Sequence, residues 1–322
     1  MKCVVNKYGS KISKSGNRIV IESKDGVFES SIENIEQVLI CAPSSITTEF
    51  LELSVKNNVD VVLLNKYGKP VGRFFGNGIE KTALKRKQLK LTENWAGISI
   101  IKEFLSEKIE NQIEHLNNIS KENISEGSLS KSISKINKSK NMLLEIKGEN
   151  IAEIRDQIQG LEGSVSKIYF RVLSKSLPKK YQFNGRSRKP AKDYFNCMLN
   201  YGYGMLYSEI EKICIISGID PTIGILHTDG QNRKSFVFDY IEKYRNIIDK
   251  IVYESFLNET IKENFFKEVE RGYLLDEEGR KHIISKFNGY LNMKVKKYGK
   301  TYTMADVMQK DAYKLSERIL RS

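Results

Sequence analysis

His227 is one of three histidines in a chain of 322 residues, and it sits in a glycine-bounded turn, GILHTDG, with Asp239 and Glu242 following twelve and fifteen residues later. Carboxylate oxygens and an imidazole nitrogen are donors that Mg²⁺ or Mn²⁺ accepts, and the set does not resemble a zinc cage. A solvated helix face is the competing reading of the two acids. On a helix beginning near Ser235, steps of about 100° per residue put Val237, Ile241, Tyr244, Ile248 and Ile251 on one side and Asp239 and Glu242 on the other. The expectation is a carboxylate pair facing away from the core, with the His227 turn folding back over it. His115 and His282 lie in charged helical segments, where exposure is expected.

A second chemistry is written between Lys167 and Lys192. This stretch carries nine positive residues, Lys167, Arg171, Lys175, Lys179, Lys180, Arg186, Arg188, Lys189 and Lys192, and no Asp or Glu. Tyr169, Phe170, Tyr181 and Phe183 interleave with them, the mixture of phosphate contacts and stacking surfaces that suits nucleic acid. The whole chain agrees in sign, with 53 Lys and Arg against 40 Asp and Glu and a net charge of +13. No basic amphipathic helix with a large apolar face is evident, so a membrane partner is not expected. No apolar run reaches the roughly 18–20 residues of a span, and the first residues lack the apolar core of a secretory signal, so a soluble, cytoplasmic protein is expected. Cys3, Cys41, Cys197 and Cys214 form no CxxC pair and read as reduced thiols. GKPVG at 68–72 reads as a hairpin rather than a phosphate loop, so the chemistry should proceed without ATP.

The elements that must position these residues divide into two kinds. Residues 1–78 read as a small β-rich domain: KCVVNKY, RIVIES, VFESSI, EQVLICA and DVVLLN are strand-like, KDG at 24–26 supplies a hairpin turn, and SSITTEFLELSVKNN reads as a short helix capped by a Ser. A hairpin, NKYGKPVGRFF, leads to GNG at 76–78, a plausible boundary. From 79 to 322 the period becomes helical, which predicts a larger all-α catalytic domain and an α+β chain overall. Ile154, Ile158, Leu161, Val165, Ile168 and Val172 form one stripe of a long helix, with Glu162 at its rim. The Ser-, Asn- and Lys-rich segment 117–140 reads as an exposed loop or a solvated helical extension.

Four ordered motifs then give the chain a family likeness. QGLEGSVSKIY at 159–169, NGRSRKPAKDYFNCMLNYGYGML at 184–206, GIDPTIGILH at 218–227 and SFVFDYIEKYR at 235–245, with KIENQIEHL at 108–116, resemble the CRISPR-associated integrases of spacer acquisition, the Cas-one family. The resemblance implies a β-rich N-terminal domain for dimerisation and assembly and a helical catalytic domain. It implies Glu162, His227 and Glu242 as ligands of Mg²⁺ or Mn²⁺, with Asp239 orienting the site or touching the metal. It also places Tyr169, Arg186, Arg188, Asn196 and Tyr203 near the cleft, and Lys167, Arg171 and Lys189 join them as DNA-binding candidates from the basic stretch. Two departures, Ala191 after Pro190 and Asn246 after Arg245, touch loop geometry and no proposed ligand.

The activity so implied is joining the 3′-hydroxyl of spacer DNA to a CRISPR repeat, or cutting branched DNA when water is the nucleophile. The implied partners are double-stranded and branched DNA, a second copy in a homodimer, and a small ferredoxin-like second adaptation protein. A transposase branch of the family typically adds a C-terminal DNA-binding module, and none is evident here, which favours the CRISPR role. The alternatives are a non-catalytic DNA-binding scaffold, whose affinity would ignore divalent ions, and a branched-DNA repair nuclease outside CRISPR.

Overall fold

The computed structural model describes residues 2–322 except 36, 58, 65–69, 75–81, 189 and 232. The chain divides into two compact units, Met1–Glu80 and Lys81–Ser322. The GNG stretch at 76–78 lies outside the described residues.

The first unit is β-rich. Its strands are β1 Lys2–Val5, β2 Ser10–Ser15, β3 Arg18–Ser23, β4 Gly26–Ser31, β5 Gln37–Ile40, β6 Ser44–Ile46, β7 Asp60–Leu64 and β8 Pro70–Phe74, with one helix, α1, at Thr48–Lys56. They make two four-stranded sheets in the orders β1-β5-β7-β8 and β4-β3-β2-β6. KDG does turn β3 into β4, as an antiparallel pair in which Ser23 faces Gly26. Helix α1 starts later than its sequence suggests, because SSI pairs with β2 as a strand. The cap is therefore Thr47, whose hydroxyl oxygen accepts from the Phe50 amide at 3.3 Å. Ile12, Ile19, Ile32, Val38, Phe50 and Val61 are buried in its core.

The second unit begins with α2 Thr82–Lys90, α3 Trp95–Asn117, α4 Glu126–Glu145, α5 Ile151–Ser176 and α6 Tyr194–Ile216. A short α7, Ser235–Tyr240, tightens into a 3₁₀ turn at Ile241–Tyr244 and continues as α8 Arg245–Leu257. Two small hairpins alternate with the last helices: β9 Phe266–Val269 with β10 Gly272–Leu275, α9 Glu277–Asn292, then β11 Lys294–Lys297 with β12 Lys300–Thr303, and α10 Met304–Arg321. The unit is thus mainly helical rather than all-α. The hairpins escape a sequence reading because FKEV, GYLL, KVKK and KTYT bury little, Leu275 alone being fully inside, so no apolar alternation marks them.

Helix α5 forms as its stripe requires. Asn150 caps it by accepting from the Glu153 amide at 3.3 Å, and Ile154, Ile158, Val165 and Val172 are buried, each contributing roughly 1.5–3 kcal/mol of apolar burial. Leu161 and Ile168 are half-buried at the edge. The 117–140 segment is largely the helix α4, not a loop. Its Leu129, Ile136 and Leu143 are buried at steps of seven, a stripe two turns apart that low apolar content hides. No helix among the described residues is long and apolar enough to cross a membrane.

Candidate active site

Helices α3, α5 and α6 and the α7–α8 segment enclose a cavity of about 1260 Å³, and Glu162, His227, Asp239 and Glu242 all line it. The expectation that Asp239 and Glu242 face away from the core is corrected in one respect: both line the cavity, yet both are buried, at 1% and 7% exposure. The segment is enclosed on two sides, by apolar core and by the polar cavity, and the 3₁₀ turn breaks the helical register between the two acids. Sequence periodicity assumes one wet side and one uniform helix, and neither holds.

Asp239 holds the His227 turn together. Its Oδ2 accepts from the amides of Ile225 at 2.6 Å and Leu226 at 3.2 Å, and its Oδ1 from the His227 amide at 3.0 Å. The same Oδ1 lies 2.7 Å from His227 Nδ1, so this carboxylate acts as an orienter of the imidazole, with Nε2 left as the ring's other coordinating atom. Burial pushes the Asp239 carboxyl up, and His227 with the amides of Ile225 and His227 counters it. Gly224 is required for the turn: a Cβ there would lie 2.3 Å from the His227 carbonyl oxygen and 2.6 Å from Ser235 Cβ.

Between the other two acids lies Lys108. Its Nζ donates to Glu162 Oε1 and stands 2.6 Å from Glu242 Oε2. Ser166 adds a hydroxyl to Glu162 at 3.0 Å, and Arg245 Nε donates to Glu242 Oε1 at 2.7 Å. Burial pushes the Glu242 carboxyl up, but Arg245 and Lys108 outweigh it and hold it down to about 2. Burial likewise acts to lower the Lys108 ammonium, and Glu242 and Glu162 reverse that, leaving it raised. Glu242 Oε2 is buried and accepts no well-aligned hydrogen bond, its close contact being the charge of Lys108. A buried anionic oxygen so placed, with Glu162 and an imidazole on the same cavity, fits a hard divalent cation in donor type. Among the described residues, no three His, Cys, Asp or Glu side chains converge closely enough to hold a metal ion as they stand.

The DNA-binding candidates separate into two groups. Lys167, Arg171 and Arg188 are exposed and line the cavity. Tyr169 does not: it is fully buried with its hydroxyl 2.7 Å from His115 Nδ1, and His115 is itself buried at 4% exposure rather than solvated. His282 is half-buried beside Ser255. Asn196 is also fully buried. It ties the basic loop down, accepting from the Ser187 amide and Arg186 and donating to the Gly185 carbonyl and Asp193. Arg186 is spent on Asn196 and Asn200, with its guanidinium 5.3 Å from the Phe170 ring and 5.5 Å from that of Tyr203. Tyr203 is buried at the cavity wall, donating to Asp249 at 2.5 Å. Lys189 lies outside the described residues.

The interleaved aromatics pack inward as well, Tyr169, Phe170 and Phe183 buried and Tyr181 half-buried. Phe183 stacks on Phe195 at 4.3 Å and Tyr181 meets Phe256 edge-on at 5.1 Å, because the residues alternating with the charges turn inward. The loop's far end is clamped too: the Tyr273 amide donates to the Ala191 carbonyl at 2.9 Å, and a Cβ on Gly272 would lie 2.1 Å from that oxygen.

Sequence reasoning missed Lys108, Arg245 and Asp249. Lys108 had a signal: it falls on the α3 stripe with Ile101, Phe104, Leu105, Gln112 and His115, a charge where an apolar residue is expected. Arg245 and Asp249 stand three and seven residues after Glu242, on the same side of α8. Burial raises the Asp249 carboxyl to about 6 against the pull of Tyr203, Arg186 and Arg245.

Residues 3–289 match the family described as CRISPR associated protein Cas1. The chain is 33% identical over 265 residues to a CRISPR-associated endonuclease Cas1 of Archaeoglobus fulgidus, covering 78% of this chain and 77% of that protein. Among solved structures, a casposase bound to integration product superimposes with a TM-score of 0.81 at 24% identity, over 99% of this chain and 90% of that one. A chain of a Cas6-RT-Cas1–Cas2 complex does so at 0.79 and 20% identity, over 99% of this chain and 35% of that one. The ordered motifs, the β-rich and helical units and these matches lead to one conclusion: the chain belongs to the Cas1 family of CRISPR-associated proteins.

Proposed function

We propose that the protein is a divalent-metal-dependent DNA integrase and endonuclease of CRISPR adaptation, which joins the 3′-hydroxyl of spacer DNA to the repeat. The observation that carries this reading is the convergence of Glu162, His227 and Glu242 with Lys167, Arg171 and Arg188 on one cavity. Glu162, His227 and Glu242 would hold Mg²⁺ or Mn²⁺, which when bound supplies positive charge for the oxygens of an in-line displacement at phosphorus.

The protein's own part is positioning and charge. Asp239 keeps the His227 ring in one orientation and tautomer, and Arg245 fixes one Glu242 oxygen. Lys167, Arg171 and Arg188 draw the phosphate backbone to the cavity mouth. The incoming 3′-oxygen forms a bond to phosphorus as the bond to the leaving 3′-oxygen breaks, and the proton of the first hydroxyl ends on the second. One phosphodiester replaces another, so no nucleotide hydrolysis is required.

The β-rich unit is the dimerisation and assembly element, a role supported by edge strand β4, which exposes Val27 and Phe28 at 68% and 41%. The assembly includes the small ferredoxin-like second adaptation protein, consistent with the Cas1–Cas2 complex that contains a chain of this fold.

The test is a branched DNA mimicking a half-integrated spacer, incubated with the purified protein in Mn²⁺, Mg²⁺ or EDTA beside His227→Ala. Metal-dependent strand rejoining that the variant loses, by at least about 100-fold, is expected. DNA that is bound but never cut or rejoined in any metal, with the second adaptation protein present, points to the scaffold instead.

A further inference from the structure

We propose that the Lys108 ammonium stands in the divalent cation's place between Glu162 and Glu242 until a DNA phosphate enters the cavity, so that metal and DNA bind as a linked pair. The inference rests on the metal reading above and adds a regulation to it.

Lys108 lies mid-helix on α3 at 5% exposure, and its Nζ touches both carboxylates. A surface lysine reaching for a carboxylate is ordinary, but a lysine buried in an apolar stripe keeps its charge only where anions receive it. The four groups in direct contact balance, Glu162 and Glu242 against Lys108 and Arg245, and Asp239 and Asp249 on the same cavity are outnumbered by its remaining Lys and Arg side chains. Adding an ion of charge two would leave a surplus of two positive charges beside Arg171, Arg186 and Arg188, which line the same cavity. Such a surplus is relieved in two ways: the lysine withdraws along its flexible four-carbon stem, or an anion arrives. DNA phosphate does the second and gives a withdrawn ammonium a new partner, so each ligand tightens the other by the same factor. A purely structural ion pair, by contrast, would lend stability to the fold and leave metal affinity unlinked to DNA.

The test counts free Mn²⁺ by its EPR signal in titrations of the full chain, with and without the branched DNA, for wild type, Lys108→Met, Lys108→Arg and Glu162→Gln. Wild type should bind weakly alone and at least about tenfold more tightly with DNA. Lys108→Met should gain about that factor without DNA and respond little to DNA afterwards, whereas Lys108→Arg should behave as wild type. If wild type binds Mn²⁺ in a Glu162-dependent way and Lys108→Met is no tighter, the placeholder role is overturned and the metal reading stands. If no protein shows Glu162-dependent binding with or without DNA, both fall.

A measurement on unaltered protein keeps the proposal testable should Lys108→Met not fold. The lysine ammonium NMR signal that Lys108→Arg lacks should be present in metal-free protein and shift or vanish with Mg²⁺ plus DNA. A signal that stays in place overturns the proposal.

Discussion

Two imidazoles of the helical unit each have an oxygen 2.7 Å from Nδ1, yet their surroundings make them opposites. His115 meets a neutral phenol, Tyr169, with Tyr253 edge-on at 5.2 Å, and burial with the nearby Lys250 charge pushes its pKa down to about 3. His227 meets a carboxylate, Asp239, and its side chain is 39% exposed at the cavity. An anionic partner on one nitrogen and access to the other make an imidazole a usable ligand, and a short hydrogen bond alone does not. His115 is a packing residue with a satisfied polar edge; His227 is a displayed one.

The contrast can be broken at the oxygen partner. Asp239→Ala orphans three backbone amides of the 225–227 turn and the His227 ring, so it should lower unfolding free energy by at least about 3 kcal/mol, read from urea denaturation. A loss below 1 kcal/mol, on the order of a surface change, would show that the turn does not depend on this carboxylate.

The sealed member is tested by pH. Its folded pKa of about 3 lies below the unfolded value near 6.5, so the unfolded chain takes up the proton first as pH falls and stability is lost through that window. Between pH 7 and pH 5 this amounts to about 2 kcal/mol. Asp249, raised to about 6, acts in the opposite direction, regaining stability as pH falls, so the informative quantity is the difference between wild type and His115→Gln. The variant should lack the 2 kcal/mol loss, to about 1 kcal/mol; identical pH slopes would place a charged His115 in the folded state.

The smallest effect compares two arginines of one loop. Arg188→Ala should reduce the log–log salt slope of DNA binding by about 0.9, the share of one phosphate contact. Arg186→Ala should leave that slope nearly unchanged and loosen the loop, because its guanidinium serves Asn196 and Asn200. Equal changes in slope would remove the distinction between displayed and structural charge.

These contrasts also explain what was legible beforehand. The α5 stripe was readable because a buried helix face repeats with the helix's own period, and His227 because a lone histidine in a glycine-bounded turn is conspicuous. The proposed site residues Glu162, His227, Asp239 and Glu242 came largely from family likeness, and all four line one cavity. Lys108 was hidden because its partners lie 54 and 134 residues away, beyond any local pattern. The basic stretch misled in its aromatics, since alternation in sequence there means alternation between solvent and core. Tyr169 and Lys167 are two residues apart, one sealed and the other exposed.

The clamp on the basic loop has an entropic consequence. An unrestrained segment gives up roughly 1–2 kcal/mol of backbone freedom per residue when a ligand orders it. At Gly185, Ser187, Arg188 and Ala191 that ordering has already occurred during folding, through Asn196, Asn200 and the Tyr273 amide. What Arg188 still surrenders on meeting a polyanion is mainly side-chain rotamer freedom. The loop is therefore a pre-set arm, and its grip depends on a hairpin about 80 residues further along the chain.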